Sequence, residues 1–169
     1  VSSAASDVYK RQEPERVVVL PRMRGDIIFE EVSFGYQEDQ EVLHEVSFKV
    51  EAGTMTALVG TSGSGKTTIA SMVASFLVPD AGTVKVDGYD LRTVTLDSYR
   101  SQLGVVLQDE VLFEGTIRDN ILFARPDASE EALCQAVSAA HVDEFTDRFD
   151  KGLLTLIGER GVKLSGGQR

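Results

Sequence analysis

The stretch GTSGSGKTT at residues 60–68 decides the fold class of this chain. It matches the Gly-x-x-x-x-Gly-Lys-Ser/Thr pattern of a phosphate-binding loop. The apolar run at 54–59 predicts a short buried strand ahead of the loop. Apolar residues then recur at helical spacing until Pro79 ends the segment: Ile69, Met72, Val73, Phe76 and Leu77. A glycine- and serine-rich turn is the alternative, but a strand, a glycine loop and a helix in this order favour an α/β nucleotide-binding core.

The residue types of this loop suit a triphosphate. Gly63 and Gly65 let the backbone curl around phosphate oxygens, so that amide N–H groups at a helix N-terminus face the anion. Lys66 would place a positive charge on the β- and γ-phosphates, and the Thr67 hydroxyl would supply an oxygen ligand to Mg²⁺. Thr68 is assigned mainly to the support of the helix start. We predict that the whole loop belongs to the nucleotide site: Gly60, Thr61, Ser62, Gly63, Ser64, Gly65, Lys66, Thr67 and Thr68.

The composition indicates about one domain with a real core, since the 169 residues are 42% hydrophobic and 26% charged. The 17 basic and 27 acidic residues give a net charge of −10, which argues against a nucleic-acid partner. No apolar run approaches the roughly 18 residues needed to span a bilayer, so any link to a membrane must come from elsewhere. The single cysteine, Cys134, lies among apolar neighbours and is predicted to be a small buried residue.

The remaining chain divides into a strand-rich part and a helical part. Residues 1–12 are polar and are interpreted as a linker or a non-native tail, and residues 13–25 as a connector. Five strands are predicted, at 26–32, 46–50, 54–59, 83–86 and 103–107. A helix is expected from a Ser129 N-cap, with an apolar face of Leu133, Ala136, Val137 and Ala140, and a second helical segment at 142–149.

The pentapeptide Leu164-Ser165-Gly166-Gly167-Gln168 follows the phosphate loop and Gln108 in the chain. With these motifs in this order, residues 25–169 resemble the nucleotide-binding domain of an ATP-binding cassette (ABC) transporter. The resemblance implies an α/β P-loop NTPase core of the RecA/F1-like type, with an antiparallel β subdomain and an α-helical subdomain. On this basis we place the phosphate-loop core and β part at 26–109 and the helical subdomain at 110–169.

Three site assignments are implied by the resemblance. Tyr36, in the run 32–36, resembles the aromatic residue that stacks on adenine, although an ordinary strand-end aromatic is the alternative. Gln108, followed by an exporter-like segment at 112–121, resembles the glutamine that contacts Mg²⁺ and the attacking water, although it could be a routine loop amide. Ser165, Gly166, Gly167 and Gln168 would face the γ-phosphate held by a second nucleotide-binding domain in a head-to-tail dimer. The catalytic assignments are therefore Lys66, Gln108, Ser165 and Gly167.

A further assignment concerns the membrane domain. The stretch 158–161 resembles the exporter loop that touches intracellular helices of the transmembrane domain, which makes Glu159 and Arg160 partner-facing candidates. A solvated charge pair in a glycine turn is the alternative. The segment 149–155 departs from the family pattern, because it lacks the expected proline and tyrosine.

The family's hydrolytic Asp-Glu strand and switch histidine do not match any part of residues 1–169, so the domain is expected to be C-terminally incomplete. His44 and His141 do not match the switch position and are predicted to be surface or packing residues. Weak folding and negligible turnover are expected of this stretch alone.

The resemblance implies ATP binding and, in the complete dimer, ATP hydrolysis that powers export at the cytoplasmic face of a plasma or inner membrane. A non-transport ATPase of chromosome maintenance or repair is one alternative, although such proteins separate the two motifs by a long coiled coil. An ATP-dependent dimerisation module without hydrolysis is another. A small kinase or GTPase would leave the pentapeptide unexplained.

Overall fold

A computed structural model of the protein describes residues 16–37, 40–106, 112–158 and residue 164. The chain divides into two compact units, Val1–Val105 and Val106–Arg169. The predicted tail at 1–12 lies outside the described residues. In the part of the chain that the structure describes, no helix has the length and apolar character needed to cross a membrane.

The first unit contains a four-stranded antiparallel sheet in the order β2-β1-β3-β4. Its strands are β1 (Ile27–Gln37), β2 (Gln40–Val50), β3 (Ala81–Val86) and β4 (Tyr89–Asp90). Three of the predicted strands, at 26–32, 46–50 and 83–86, correspond to β1, β2 and β3, although β1 and β2 extend further than the apolar pattern indicated.

The middle of β1 is irregular. Phe29, Val32 and Phe34 are all buried, which a strictly alternating strand could not achieve. The pairing of β1 with β2 shifts register between Phe29 and Val32, and Glu31 has a left-handed φ of 48°. A bulge of this kind inserts a residue and returns the following side chains to the core face.

Among the described residues of the first unit, two short helices accompany the sheet: α1 (Lys66–Val73) and α2 (Leu96–Arg100). Met72 and Tyr99 are each 1% exposed and pack into the same core. The helix predicted to run to Pro79 ends instead at Val73, and Ser75 adopts a left-handed φ of 57°. Phe76 consequently leaves the helix face and is half exposed.

Two predicted strands are wrong. Residues 54–59 lie in irregular backbone and are exposed, and the described part of the run 103–107 is irregular as well. A strand requires a ladder partner, and none of the described residues pairs with 54–59. Leu103 packs partly buried against the core, but five large apolar side chains in these runs remain exposed: Met55, Leu58, Val59, Val105 and Val106.

The described part of the predicted connector belongs to the first unit's core. Leu20 is 4% exposed. Val18 forms a parallel β-bridge with Val94. The Val18 N–H donates to the Thr93 carbonyl oxygen at 2.9 Å, and the Val18 carbonyl oxygen accepts from the Thr95 N–H at 2.8 Å. The Arg16 guanidinium donates a 2.6 Å hydrogen bond to the Leu91 carbonyl oxygen. Residues 16–23 are thus hydrogen-bonded to the region that follows β4, whereas Arg24 and Gly25 bond to Asp87 ahead of it.

The described part of the second unit consists of short helices and one small ladder. It contains α3 (Ile117–Leu122), α4 (Glu130–Ala139), α5 (Asp143–Thr146) and a short 3₁₀ turn at Gly152–Leu154. A two-stranded antiparallel ladder joins β5 (Gly115–Thr116) to β6 (Leu156–Ile157). Ile117, Ile157 and Leu164 form a buried hydrophobic cluster in the second unit.

Helix caps explain where α3 and α4 begin. Thr116 and Asp119 form a reciprocal capping box at the start of α3. The predicted N-cap of α4 is confirmed, since the Ser129 hydroxyl accepts a hydrogen bond from the Ala132 N–H at 3.2 Å. The second predicted helical segment, 142–149, is helical only over α5.

The buried face of α4 is narrower than its sequence pattern suggests. Leu133 and Val137 are buried, whereas Ala136 and Ala140 are exposed. The predicted burial of Cys134 is wrong, because this residue is exposed. Position 134 lies about 100° around the helix from Leu133, outside a stripe formed by two residues four positions apart.

Candidate nucleotide-binding site

The phosphate loop, residues 60–68, leads directly into α1. Gly65 is the N-cap of α1 and has a left-handed φ of 84°. The backbone conformation favours glycine, and a Cβ at this position would lie 2.6 Å from Leu43 Cδ2, so the Leu43 side chain would have to shift. Gly63 also has a left-handed φ, 82°, but a Cβ there would meet open space. Gly65 is therefore packed against Leu43, whereas Gly63 lies on an open side of the loop.

The Lys66 ammonium lies over its own loop. Nζ donates to the carbonyl oxygens of Gly60 at 2.9 Å and Thr61 at 2.6 Å, and to the Ser64 hydroxyl at 3.3 Å. Along α1 and its N-cap, all of which the structure describes, no side chain caps the first turn and no acidic residue lies there. The helix N-terminus and the ammonium thus combine into one positively polarised surface.

The two threonines that follow Lys66 have different environments. Thr67 is exposed. Thr68 is 3% exposed, and its Oγ1 lies 3.2 Å from the hydroxyl oxygen of Tyr36. Thr67 is therefore the more accessible of the two for an ion, whereas the Thr68 hydroxyl links α1 to the end of β1.

Tyr36 is held in place but its ring is accessible. Its ring meets Phe34 edge to face, with centroids 5.0 Å apart and planes at 86°. The Thr68 contact restrains the other end of the side chain. Tyr36 nevertheless remains 60% exposed. The first unit thus presents an aromatic surface linked through Thr68 to the first turn of the phosphate-loop helix.

The sequence did not predict a second link, which joins the segment after α1 to the end of β1. The Asp80 N–H donates to the Ser33 carbonyl oxygen at 2.9 Å, and the Asp80 carboxylate accepts from the Gly35 N–H at 2.9 Å. The available signal was the Pro-Asp-Ala-Gly sequence at 79–82, which is typical of a turn whose aspartate bonds nearby backbone.

The described residues fit a nucleoside triphosphate. The glycine loop is open above Gly63, the Lys66 charge lies at its surface, and the accessible Tyr36 ring belongs to the same unit. Several other predicted site residues lie outside the described part of the chain: Gln108, Glu159, Arg160, Ser165, Gly166, Gly167 and Gln168. Leu164, the first residue of the pentapeptide, is described and is buried beside Ile117 and Ile157.

His44 and His141, predicted to be surface or packing residues, are both exposed. His44 Nδ1 lies 3.1 Å from the Glu41 carboxylate, and that hydrogen bond, with the Glu41 charge, raises the pKa of His44. His141 Nδ1 lies 3.0 Å from the Glu144 carboxylate. Neither side chain contacts the phosphate loop through these interactions.

Comparison with known proteins places the site in a family. The profile described as ABC transporter matches residues 43–169. The chain is 47% identical over 158 residues to the ABC transporter ATP-binding protein YknV of Bacillus subtilis (strain 168), covering 94% of this chain and 26% of YknV. It is 43% identical over 153 residues to the ATP-dependent lipid A-core flippase of Legionella pneumophila (strain Paris), covering 90% of this chain and 26% of the flippase.

A solved structure shows the same fold. The structure of a bacterial Atm1-family ABC exporter with ATP bound matches with a TM-score of 0.80 and 43% identity, over 93% of this chain and 27% of the exporter chain. The expected P-loop NTPase fold with an antiparallel sheet and a helical part is thereby confirmed. The chain spans about a quarter of the length of these relatives. With the profile match over residues 43–169, these similarities establish that the chain belongs to the ABC transporter family.

Proposed function

We propose that this chain binds ATP and that the complete transporter containing it hydrolyses ATP to export a substrate across a membrane. The observation that carries the proposal is the position of Lys66 at the N-terminus of α1. Its ammonium lies 2.6 to 3.3 Å from three oxygens of the loop, beside a helix end without acidic side chains. Such a surface attracts the phosphates of a nucleotide.

Tyr36 supplies the contact to the base. Its exposed ring lies at the end of β1, and aromatic stacking on a base contributes about 1–3 kcal/mol in nucleic-acid-binding proteins. This is enough to orient the nucleotide without distinguishing every base. Phosphate and base thus have separate contacts in the first unit, at Lys66 and at Tyr36.

The bound nucleotide carries Mg²⁺, with Thr67 as a hydroxyl ligand and Gln108 as an amide ligand. Among the described residues, no group of three or more His, Cys, Asp or Glu side chains could hold a metal ion. Mg²⁺ suits this donor set because it keeps several waters and binds through substrate phosphates and few protein ligands. The assignment of Gln108 rests on the resemblance of its segment to the exporter glutamine loop.

The partners are a second nucleotide-binding domain and the transmembrane domain. In a head-to-tail dimer, Ser165, Gly166, Gly167 and Gln168 of one domain contact the nucleotide held by the other. Glu159 and Arg160 contact the intracellular helices of the transmembrane domain at the cytoplasmic face of the membrane. The presence of both partners is supported by the exporter relatives, whose chains are several times longer than this one. The residue assignments rest on the resemblance of these segments to the family's motifs.

The test replaces Lys66 in the complete protein that contains this chain. Lys66→Ala should weaken ATP binding about 10- to 100-fold, because a hydrogen bond to a charged group contributes about 1.5–3 kcal/mol. Turnover should fall with it. Lys49→Ala is the matched control, since it removes an equal charge from an exposed position on β2 of the same unit. Unchanged affinity and turnover in Lys66→Ala would refute the proposed phosphate site.

A further inference from the structure

We propose that Asp80 is a positioning residue for the nucleotide base, because its backbone N–H and its carboxylate together hold the end of β1 that carries Tyr36. The inference rests on the proposed function, in which Tyr36 stacks on adenine. Asp80 acts through Tyr36 and is not itself assigned a contact with the nucleotide.

The ladder at the end of β1 is irregular, although its pairing with β2 continues to Gln37. Pairing with β3 ends at Ser33, opposite Ala81. Pairing with β2 shifts register three more times, between Val32 and Phe34, Phe34 and Gly35, and Gly35 and Gln37. At each such shift the extra residue falls outside the regular ladder. The backbone next to Tyr36 also receives hydrogen bonds from outside the sheet.

Asp80 supplies two such hydrogen bonds, one on each side of Phe34. Its N–H reaches the Ser33 carbonyl oxygen and its carboxylate reaches the Gly35 N–H, both at 2.9 Å. The Phe34 ring is 2% exposed and touches the Tyr36 ring edge to face. Fixing the backbone around Phe34 therefore fixes the surface against which Tyr36 packs.

The backbone next to Asp80 on both strands is tightly packed. Gly82 has a left-handed φ of 78°, and a Cβ there would overlap the carbonyl oxygens of Glu30 and Glu31. A Cβ on Gly35 would lie 2.7 Å from the Gln40 carbonyl oxygen. The turn that carries Asp80 and the strand that receives its hydrogen bonds thus have little room to shift.

The turn that contains Asp80 also links Tyr36, the proposed contact with the base, to the phosphate-loop helix. Asp80 follows the segment that leaves α1, and Thr68 in the first turn of α1 contacts the Tyr36 hydroxyl. Tyr36 is therefore held relative to both ends of the phosphate-loop helix. Such preorganisation favours binding, because less side-chain freedom is lost when the base arrives.

The test compares a ligand that has a base with one that lacks it. In the complete transporter, ATP affinity is measured beside the inhibition constant of inorganic tripolyphosphate. Tyr36→Ala and Asp80→Ala should each weaken ATP binding, Asp80→Ala by about 3- to 10-fold. Tripolyphosphate inhibition should stay unchanged in both variants. In the double variant, Asp80→Ala should add nothing to the effect of Tyr36→Ala, because both act through one ring.

Three further variants sharpen the test. Asp80→Asn retains an oxygen acceptor and should keep ATP affinity close to that of the unmodified protein. Asp80→Glu keeps the charge but displaces the carboxylate, so it should weaken ATP binding and serves where the alanine variant does not fold. Asp87→Ala is the matched control, because Asp87 accepts three backbone N–H groups at the opposite end of β1. It should leave the ratio of ATP to tripolyphosphate affinity unchanged.

The outcomes separate the two proposals. If Tyr36→Ala changes that ratio and Asp80→Ala does not, the positioning role is overturned and the base contact stands. If Tyr36→Ala leaves the ratio unchanged, the base contact in the proposed function fails and the role of Asp80 fails with it. Additive effects in the double variant would likewise overturn the inference, because they would show that Asp80 acts independently of Tyr36.

Discussion

The Tyr99 hydroxyl donates a hydrogen bond to the carbonyl oxygen of Val73 at 2.7 Å. Val73 is the last residue of α1, where helix carbonyls lack partners within the helix. Tyr99 is 1% exposed, and burial raises the pKa of its hydroxyl to about 12, so the group stays neutral as a donor. Arg100 adds a 2.8 Å bond to the Ser75 carbonyl oxygen. Helix α2 thus secures the C-terminal end of the phosphate-loop helix.

Tyr99→Phe is expected to lower the free energy of unfolding by about 0.5–1.5 kcal/mol, because it removes the part-buried hydrogen bond to the Val73 carbonyl oxygen. Urea denaturation of the nucleotide-binding domain measures the change. Tyr89→Phe is the control, since Tyr89 lies on β4 and is 39% exposed. Equal, negligible effects of the two substitutions would contradict the prediction.

Gly65→Ala should destabilise the protein more than Gly63→Ala. Both residues have left-handed φ values, and a side chain there costs about 1–2 kcal/mol. Only at position 65 would the new Cβ also collide with Leu43 Cδ2, at 2.6 Å. The difference in urea midpoint between the two variants therefore measures the cost of displacing Leu43 beside Gly65. Identical midpoints would show that Leu43 moves aside without cost.

Asp87 should contribute a pH-dependent part of the stability. Burial raises its pKa, but hydrogen bonds from the backbone N–H groups of Arg24, Asp26 and Gly25 outweigh this effect and lower the pKa below 3.8. A depressed folded-state pKa means that the stabilisation is fully present above the ordinary aspartate pKa, about 3.9, and is lost as the pH falls through the folded-state value.

Asp87→Asn tests this contribution. The difference in unfolding free energy between the unmodified domain and the variant should be constant from pH 7 to about 5 and should shrink as the pH falls below about 4. Urea midpoints at several pH values measure it. If this difference in unfolding free energy grew as the pH fell, the prediction would be contradicted, because a lowered pKa of Asp87 requires the difference to shrink.

Cys134 should react with a thiol reagent in the folded state. It is exposed on α4, and it is the single cysteine among the 169 residues, so labelling in this stretch reports one site. Ellman's reagent should modify the native chain at a rate close to that in urea. Cys134→Ser provides the blank. Protection that disappears only on unfolding would place the thiol in the core.

Local patterns allowed several elements to be predicted from residues alone. The glycines and lysine at 60–68, the Ser129 cap of α4 and the apolar residues of β1 and β3 depend on neighbours close in the chain. Steric limits on backbone angles and the bonding needs of a helix end act over a few residues. These features were therefore accessible to sequence analysis.

Long-range packing decided the rest. The bulge at Glu31, the exposure of residues 54–59 and of Cys134, and the anchoring of residues 16–25 depend on which segments come together in space. The same holds for the bonds from Asp80 to Ser33 and Gly35, which join residues distant in the chain. Sequence alone determined that the chain carries a phosphate loop and belongs with ATP-binding cassettes. Only the tertiary structure decided how Tyr36 is held, because side-chain orientation there depends on hydrogen bonds between separate elements.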